Sequence, residues 1–326
     1  RCLRLLREGR RVPLISLEEL ADEACVVAIG GIGAPIVGIE KLEEGHEGLR
    51  ALRALEEFCG RNVDALICGE IGGGNSFEPI LTAAAAGIGV VDGDGMGRAF
   101  PEMQMTTFSI YGHSSTPAAL ADERGNVTIF RHVASELWFE KLARAAVVSM
   151  GGTAIGAEAP MTGAYVKRAA VPATVTQAIT LGEIVLRANR EHVNPIPLIC
   201  ERERGSHLMS AKIVDLQRHL RGGFSVGEIA LEGIDGHAGT QARVVFQNEF
   251  LTFERAGRVE VSVPDLIAVL DVDSGHAITT DSLRYGQRVA ILALPCHPLL
   301  RTPEALAVVG PRCFGLEHVE FKPLPR

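Results

Sequence analysis

The sequence predicts an α/β N-terminal domain with a mainly parallel sheet, followed by a β-rich C-terminal domain. In the first part, apolar runs such as CVVAIGGIGAP (Cys25 to Pro35) alternate with helix-like segments, which is typical of βαβ units. Beyond NPIP (Asn194 to Pro197) the pattern changes to short alternating strands separated by turns such as DGHAG. We therefore predict domains at 1–195 and 196–326, and an earlier cut near Phe130 stays open.

Each element of the first part has its own signal. Leu49, Leu52, Leu55 and Phe58 recur at helical spacing, and Gly60 is placed to cap that helix at its C-terminal end. A further helix is predicted from about residue 174 to 191. Runs rich in β-branched and apolar residues predict strands in ALICGEIGGG, GIGVVDGDG, GNVTIFRHV and AAVVSMGG. Helices are predicted between them in FEPILTAAAA and SELWFEKLARA.

The second part contains alternating apolar and polar residues in runs of strand length. The predicted strands lie in AKIVDLQRH, FSVGEIALEGI, QARVVFQNEFLTFE, VEVSVPDLIAVLD and RVAILALP. No internal repeat is evident.

Composition argues against several classes of protein. The 326 residues carry a net charge of −8 and 5 % aromatic residues, which disfavours a nucleic-acid partner. No segment approaches the roughly 20 apolar residues that a membrane span needs. The seven cysteines form no C-x-x-C pair, so we expect reduced thiols in a cytoplasmic protein.

The stretch EIGGGNSFE (Glu70 to Glu78) joins a predicted strand to a predicted helix. Its glycines do not have the spacing of a dinucleotide or phosphate loop, so no nucleotide cofactor is expected. The glycines either serve a tight turn that needs positive φ or expose backbone N–H groups to an anion.

Polar side chains follow two predicted strands at the ends where parallel sheets bind ligands. If those strands are neighbours, one crevice collects Glu70, Asn75, Asp92, Asp94 and Glu102. Several carboxylates in one cleft are suited to binding a cation or activating water. The alternative is that some of them cap the following helices. We favour a functional role for Glu70 and Asp92, and assign none to Glu78.

Other candidate residues are dispersed along the chain. A divalent metal such as zinc is predicted at Asp92 and Asp94, with His113 as a third ligand. Thr153 supplies a hydroxyl at a loop end. Lys167 either pairs with the acids or with an acidic substrate, or lies on the surface.

The central block, EIGGGNSFEPILTAAAAGIGVVDGDGMGRAFPEMQMTTFSIYG, closely resembles the S-methyl thiohydantoin desulfurase-like family. That family was long known as a domain of unknown function beside hydantoinase and oxoprolinase genes. Further matches occur in the same order along the chain: GAPIVGIEKLEEG at Gly33 to Gly45, AKIVDLQR, FQNEFL, VPDLI and VVGPRCFG.

The resemblance implies two domains and hydrolysis of a modified hydantoin ring during breakdown of sulfur-containing histidine derivatives. The family carries another glycine-rich turn upstream of the first helix, and we expect that turn to be missing here. His297 in LPCHPLLRTPE departs from the family's proline-rich ending, which leaves the exact substrate open.

The chemistry of that reaction assigns roles to the acids and the glycine stretch. The predicted catalytic residues are Glu70, Asp92 and Glu102. The predicted substrate-binding residues are Gly72, Gly73, Gly74, Asn75, Thr153 and Lys167. If the acids are structural, His207 or Lys212 is the alternative catalytic group.

The expected partner is a small acidic substrate, bound by a chain that forms a homo-oligomer. The alternative function is a non-catalytic or regulatory partner subunit of a hydantoinase or oxoprolinase.

Overall fold

The computed structural model of the chain describes residues 1–33, 37, 40–221 and 224–325. The predicted turn up to Pro35 and the family match at Gly33 to Gly45 therefore lie partly outside the described residues. The chain divides into two compact units, Arg1–Thr176 and Gln177–Arg326. No helix in the described ranges is long and apolar enough to cross a membrane.

The helices and strands of the first unit alternate along the chain. The helices with described bounds are α1 Cys2–Arg7, α2 Glu47–Cys59, α3 Glu78–Ala86, α4 Thr107–Ile110, α5 Glu136–Ser149, α6 Gly163–Ala169 and the start of α7 Thr174–Glu191. The strands are β1 Leu14–Ile15, β2 Cys25–Gly33, β3 Ala65–Cys68, β4 Gly89–Asp94, β5 Ala118–Ala121, β6 Val127–Phe130, β7 Thr153–Ala157, β8 Met161–Thr162 and β9 Val171–Pro172.

These strands form one mixed sheet in the order β1-β4-β3-β2-β7-β5-β6. The pairs β1–β4, β4–β3 and β3–β2 are parallel, and β7, β5 and β6 continue the sheet antiparallel. The α/β class predicted for the N-terminal part is confirmed. Successive residues of β2 alternate between faces: Val27 and Ile29 pack with α2, whereas Val26 and Ala28 pack with Phe108.

The second unit contains an antiparallel sheet, which confirms the β-rich class predicted for the C-terminal part. Its strands pair in the order β14-β13-β12-β11-β10-β16-β15. Their bounds are β10 Ser206–Arg221, β11 Phe224–Gly233, β12 Gln241–Gln247, β13 Glu249–Arg255, β14 Arg258–Ser262, β15 Leu266–Asp271 and β16 Arg288–Leu294. The helices of this unit are the remainder of α7, α8 Pro195–Glu203 and α9 Pro303–Val309.

One predicted strand, AAVVSMGG, is wrong: most of it belongs to helix α5. Phe139, Ala143 and Val147 lie four residues apart and are at most 1 % exposed, so they form the buried stripe of a helix. Val148 is exposed, as expected on the opposite side of that helix. The β-branched pair misled the prediction because packing overrides local propensity. The strand begins later, at Thr153.

The helix predicted from about 174 to 191 is confirmed as α7, Thr174–Glu191. The cap predicted at Gly60 is also confirmed, since this residue ends α2 in the left-handed conformation, with φ of 63°.

Candidate functional site

Strand β3, which Glu70 follows, and strand β4, which carries Asp92 and Asp94, are adjacent and parallel, so the condition for the predicted crevice is met. Leu66 pairs with Val90, and Cys68 at the end of β3 lies opposite Asp94 at the end of β4. The loops that follow β3 and β4 therefore leave the sheet at the same edge. This is the edge at which open parallel sheets bind their ligands.

Asp94 ties the two loops together. Its carboxylate is fully buried and accepts hydrogen bonds from the backbone N–H groups of Ile71, Met96 and Gly97, at 2.8, 3.0 and 2.8 Å to Oδ2. Burial raises the pKa of Asp94 to about 7, while these backbone bonds and the Thr174 hydroxyl act in the opposite direction. Asp94 therefore links the loop after β3 to the loop after β4 through hydrogen bonds.

Asn75 holds the glycine stretch against β2. Its Oδ1 accepts from the Gly31 N–H at 2.7 Å, and its Nδ2 donates to the Gly31 carbonyl at 3.1 Å. The same Nδ2 donates to Glu70 Oε1 at 2.7 Å. A Cβ at Gly31 would lie 2.9 Å from Asn75 Oδ1, so this contact requires a glycine in β2. The Asn75 amide thus positions Glu70, which differs from its predicted role as a substrate ligand.

Glu70 is held as a partly buried carboxylate. Besides Asn75, the backbone N–H of Phe100 donates to its Oε2 at 3.4 Å. N–H donors at both oxygens match the ionised form of a carboxylate, which only accepts hydrogen bonds. Among the three acidic residues predicted to be catalytic, Glu70 therefore has the surroundings that best suit a general base.

The three glycines that follow do not serve a left-handed turn. Gly72, Gly73 and Gly74 all have φ outside the positive range. A Cβ at Gly73 or Gly74 would meet nothing within 4 Å, and both residues are exposed. Within the described part of the chain, no group accepts a hydrogen bond from the N–H of either residue. Neither conformation nor packing requires a glycine at these two positions, and the prediction that they bind a ligand stays a prediction.

Asp92 lies at the start of helix α7. Its Oδ1 accepts from the N–H groups of Val175 and Thr176, both at 3.1 Å, and its Oδ2 accepts from the Thr176 hydroxyl at 2.6 Å. A carboxylate here satisfies the first N–H groups of the helix and complements its dipole. This is the capping alternative that the sequence left open, and it distinguishes Asp92 from Glu70.

Two other candidate residues, Glu102 and His113, have partners other than Asp92 and Asp94. Glu102 accepts a hydrogen bond from the Gln104 side chain. The ring Nε2 of His113 lies 3.2 Å from the Ala159 carbonyl, and the ring packs 5.2 Å from the ring of Tyr165. Neither side chain makes a described contact with Asp92 or Asp94.

The predicted ligands Thr153 and Lys167 are in different surroundings. Thr153 begins β7 opposite Gly33, at the same edge of the sheet as Asn75, and its carbonyl accepts from Lys41 Nζ at 2.9 Å. Lys167 forms an ion pair with Asp22 at 2.7 Å, where both side chains are at least one-third exposed. Lys167 is thus paired with a surface acid.

A metal centre does not fit the predicted ligands. Among the residues that the structure describes, no group of three or more His, Cys, Asp and Glu side chains could hold a metal ion. The oxygens of Asp92 and Asp94 face N–H and O–H donors, whereas a bound cation needs several oxygen or nitrogen ligands directed at it. Zinc binding stays an untested prediction, and we derive no step through a metal.

The alternative catalytic residues lie in the second unit. His207 Nε2 is 3.2 Å from the Ser210 hydroxyl, and the His207 and His237 rings lie 5.5 Å apart. Burial lowers the pKa of His207, and the neighbouring His237 adds to that effect. Lys212 is exposed on β10 opposite Arg288. No carboxylate contact in the described residues orients His207 as a base.

Sequence reasoning missed Glu158. It directly follows β7, and its N–H donates to the Ala28 carbonyl of β2 at 3.0 Å. The pKa of Glu158 is raised to about 8, first by burial and then by the nearby carboxylates of Glu136 and Glu140, while the Ser115 hydroxyl acts in the opposite direction. In the sequence this acid stands alone in GAEAP, and nothing in the local pattern distinguishes it from a surface glutamate.

The fold and the site define a protein class: an α/β unit with carboxylates at its strand ends, followed by an antiparallel β unit. Two family models match this chain, the S-Me-THD-like N-terminal domain at residues 1–132 and the S-Me-THD-like C-terminal domain at residues 134–324. The chain belongs to the S-Me-THD-like family, which confirms the resemblance found in the sequence.

A crystal structure of a protein from Chromobacterium violaceum is similar to this chain. The two are 23 % identical, the match covers 99 % of this chain and 92 % of that chain, and the TM-score is 0.81. At this identity the likeness shows the fold alone. No curated protein matches the chain.

We expect Asp94→Ala to lower the free energy of unfolding by about 3 kcal/mol or more, since each buried N–H left without a partner costs about 1–3 kcal/mol. The matched control is Asp22→Ala, which removes an exposed ion pair and should cost less than about 1 kcal/mol. Denaturant unfolding of both variants measures the difference. Equal losses in the two variants would contradict a stabilising link between the two loops at Asp94.

Proposed function

We propose that the protein is a hydrolase acting on a hydantoin-like ring, with an S-methyl thiohydantoin as the substrate and methanethiol as a product. The family name supports this substrate class. The observation that carries the proposal is the pairing of a positioned carboxylate, Glu70, with a glycine backbone that is open at Gly73 and Gly74.

The reaction needs a base and a site for the ring. The ring carbon that bears the methylthio group is bonded to nitrogen in the manner of an amidine, so it is electrophilic. Water adds to this carbon while Glu70 accepts a proton from the water, so a C–O bond forms as the C=N double bond opens and the ring nitrogen takes up a proton. The C–S bond then breaks as the remaining hydroxyl becomes a carbonyl, the hydroxyl proton passes to the sulfur, and methanethiol leaves a hydantoin behind.

The other residues of the stretch have positioning and binding roles in this proposal. Asn75 fixes the direction of the Glu70 carboxylate through its bond to Oε1. The exposed N–H groups of Gly73 and Gly74 would donate to a ring oxygen or to a carboxylate of the substrate. This arrangement favours a small acidic substrate, such as an intermediate in the breakdown of sulfur-containing histidine derivatives.

The first test removes the charge of the base. Glu70→Gln retains an oxygen that accepts from Asn75 but cannot take up a proton, so we expect kcat to fall about 10²–10⁴-fold. The measurement is methanethiol release from S-methyl thiohydantoins. The matched control, Glu57→Gln, makes the same chemical change on the exposed side of α2 and should retain parent activity.

A second variant, Asp92→Asn, tests whether Asp92 is the base instead of Glu70. Since Asp92 caps α7, we expect mainly a loss of stability, of about 0.5–2 kcal/mol, in this variant. A large loss of turnover in Asp92→Asn, with Glu70→Gln near the parent rate, would move the base to Asp92.

The second test addresses the open glycines. Gly73→Ala and Gly74→Ala should leave the melting temperature unchanged or slightly higher, because φ is permissive and the added Cβ meets nothing. We expect KM to rise about ten-fold or more, because the added Cβ would keep the ligand from approaching the backbone N–H, and the hydrogen bond to a charged group that is then lost contributes about 1.5–3 kcal/mol. Unchanged KM in both variants would place ligand binding elsewhere.

The assay of the parent chain also tests the alternative function. Absence of turnover by the purified chain, together with stoichiometric co-purification of a hydantoinase, would favour the non-catalytic partner subunit over the hydrolase.

A further inference from the structure

Strand β10 of the second unit continues beyond the strand that covers one of its sides. On that side, β16 pairs with β10 only as far as Lys212, and the Ile213 N–H then donates to the Gln287 carbonyl at 2.9 Å. On the other side, β11 pairs with β10 as far as Arg221. In the described part of the chain, no strand pairs with residues 215–221 on the β16 side, and we refer to these residues as the open edge of β10.

The backbone of the open edge has N–H groups that its own sheet does not use. In an antiparallel pair, the backbone groups of alternate residues point toward the partner strand, and those of the residues between them point away. The Leu216 N–H donates to the Asp215 side chain, at 2.9 Å to Oδ1, which places it on the side away from β11. By the same alternation, the N–H groups of Arg218 and Leu220 also point outward, where no described backbone carbonyl accepts from them.

The side chains of the open edge alternate between two faces. One face is polar and exposed along the whole row, with Asp215, Gln217, His219 and Arg221. On the other face, Leu216 packs against the hydrophobic core of the second unit. Leu220 belongs to the same face but is 74 % exposed. An apolar side chain at the end of the open edge therefore lies in solvent.

The open edge is complementary to itself when a second copy runs in the opposite direction. In an antiparallel pair centred on Arg218, residues at equal distances before and after it face each other. Asp215 then lies opposite Arg221 of the other copy, and Leu216 lies opposite Leu220. Opposite charges and apolar side chains at facing positions stabilise paired strands. The same register also brings the outward N–H groups to outward carbonyls, because it pairs only residues whose backbone groups point away from β11.

Arg218 lies at the centre of this register, where two like charges face each other. Its guanidinium is directed into its own chain, since Nη2 donates to the backbone carbonyls of Thr280 and Leu283. These carbonyl groups hold the side chain and partly compensate its charge. The central position therefore opposes the pairing less than two free arginines would.

We propose that the open edge of β10 is a dimerisation surface, which pairs antiparallel with the open edge of a second copy about a two-fold axis at Arg218. A two-fold interface uses the same patch on both copies, so each favourable pair occurs twice. The dimer therefore contains two Asp215–Arg221 pairs and two Leu216–Leu220 pairs. A single pair of strands is a small interface, so association is concentration-dependent, with a Kd between about 1 μM and 1 mM.

The charges of the open edge distinguish this arrangement from simple protection of an exposed strand. Charged side chains at a sheet edge usually prevent edge-to-edge pairing. Here the acid Asp215 and the base Arg221 stand at equal distances from Arg218, so they attract in one register. That register is also the one that pairs the outward backbone groups and covers Leu220.

The decisive experiment exchanges the charges. Asp215→Arg places basic residues at both facing positions, and Arg221→Asp places acidic residues at both, so each variant repels its own copy. For each variant alone, we expect the dimer Kd measured by analytical ultracentrifugation to rise about ten-fold or more. An equimolar mixture of the two variants restores opposite charges at both positions. Heterodimers should therefore form in the mixture with about the parent Kd.

The outcomes support or overturn the proposal directly. A parent chain that stays monomeric up to about 1 mM overturns it. A parent dimer that is unchanged in both single variants overturns it too, since its interface then lies elsewhere, and so does a mixture without heterodimers. Glu57→Arg makes the same kind of charge change on the exposed side of α2 and should retain the parent Kd as the matched control.

A second substitution tests the apolar pair. Leu220→Lys replaces an exposed side chain, so the melting temperature should stay near that of the parent. We expect the dimer Kd to rise about ten-fold or more, because the apolar pair is lost and a lysine at a strand edge disfavours pairing. The matched control is Leu186→Lys on α7, where the leucine is 59 % exposed. Parent values of Kd in both variants would contradict dimerisation through the open edge.

Discussion

The buried carboxyl of Asp94 is the interaction on which the strand-end edge depends. Parallel neighbours such as β3 and β4 bring their following loops to one place, but nothing in the sheet itself fixes those loops. Asp94 does so by accepting from Ile71 of one loop and from Met96 and Gly97 of the other. Because the group is buried, losing these donors would leave several polar groups unsatisfied at once.

Because Asp94 fixes both loops, it also fixes the positions of the residues that follow in them. Once Ile71 is fixed, the chain reaches Asn75 with a defined direction, and Asn75 bonds both to β2 and to Glu70. Gly73 and Gly74, which lie between them, are not required by the fold, since neither has a positive φ and an added Cβ would meet nothing. The ends of the stretch are thus hydrogen-bonded to the sheet and its loops, whereas Gly73 and Gly74 in its middle are exposed.

The sequence was sufficient for the parts of this structure that follow from periodicity and capping. The alternation of strands and helices in the first unit, the span of α7 and the β-rich second unit all have local signals. The sequence does not determine that β3 and β4 are neighbours in the sheet. The partners of individual side chains have no such local signal in the sequence. Asp92 and Asp94 are two residues apart in one strand, yet one caps a helix and the other joins two loops. Glu158 acquires its environment from α5 and from the loop before β5, both distant in sequence.

The raised pKa values of two buried carboxyl groups in this unit make its stability depend on pH. The pKa values of Asp94 and Glu158 lie at about 7 and 8 in the folded chain, above their ordinary values of 3.8 and 4.5. Between those limits the folded chain binds more protons than the unfolded chain, so the free energy of unfolding falls as the pH rises. For Asp94, the hydrogen bonds from the two loops offset this penalty. Among the described residues, no backbone N–H group donates to the Glu158 carboxyl, so its raised pKa lowers the free energy of unfolding with no comparable offset as the pH rises.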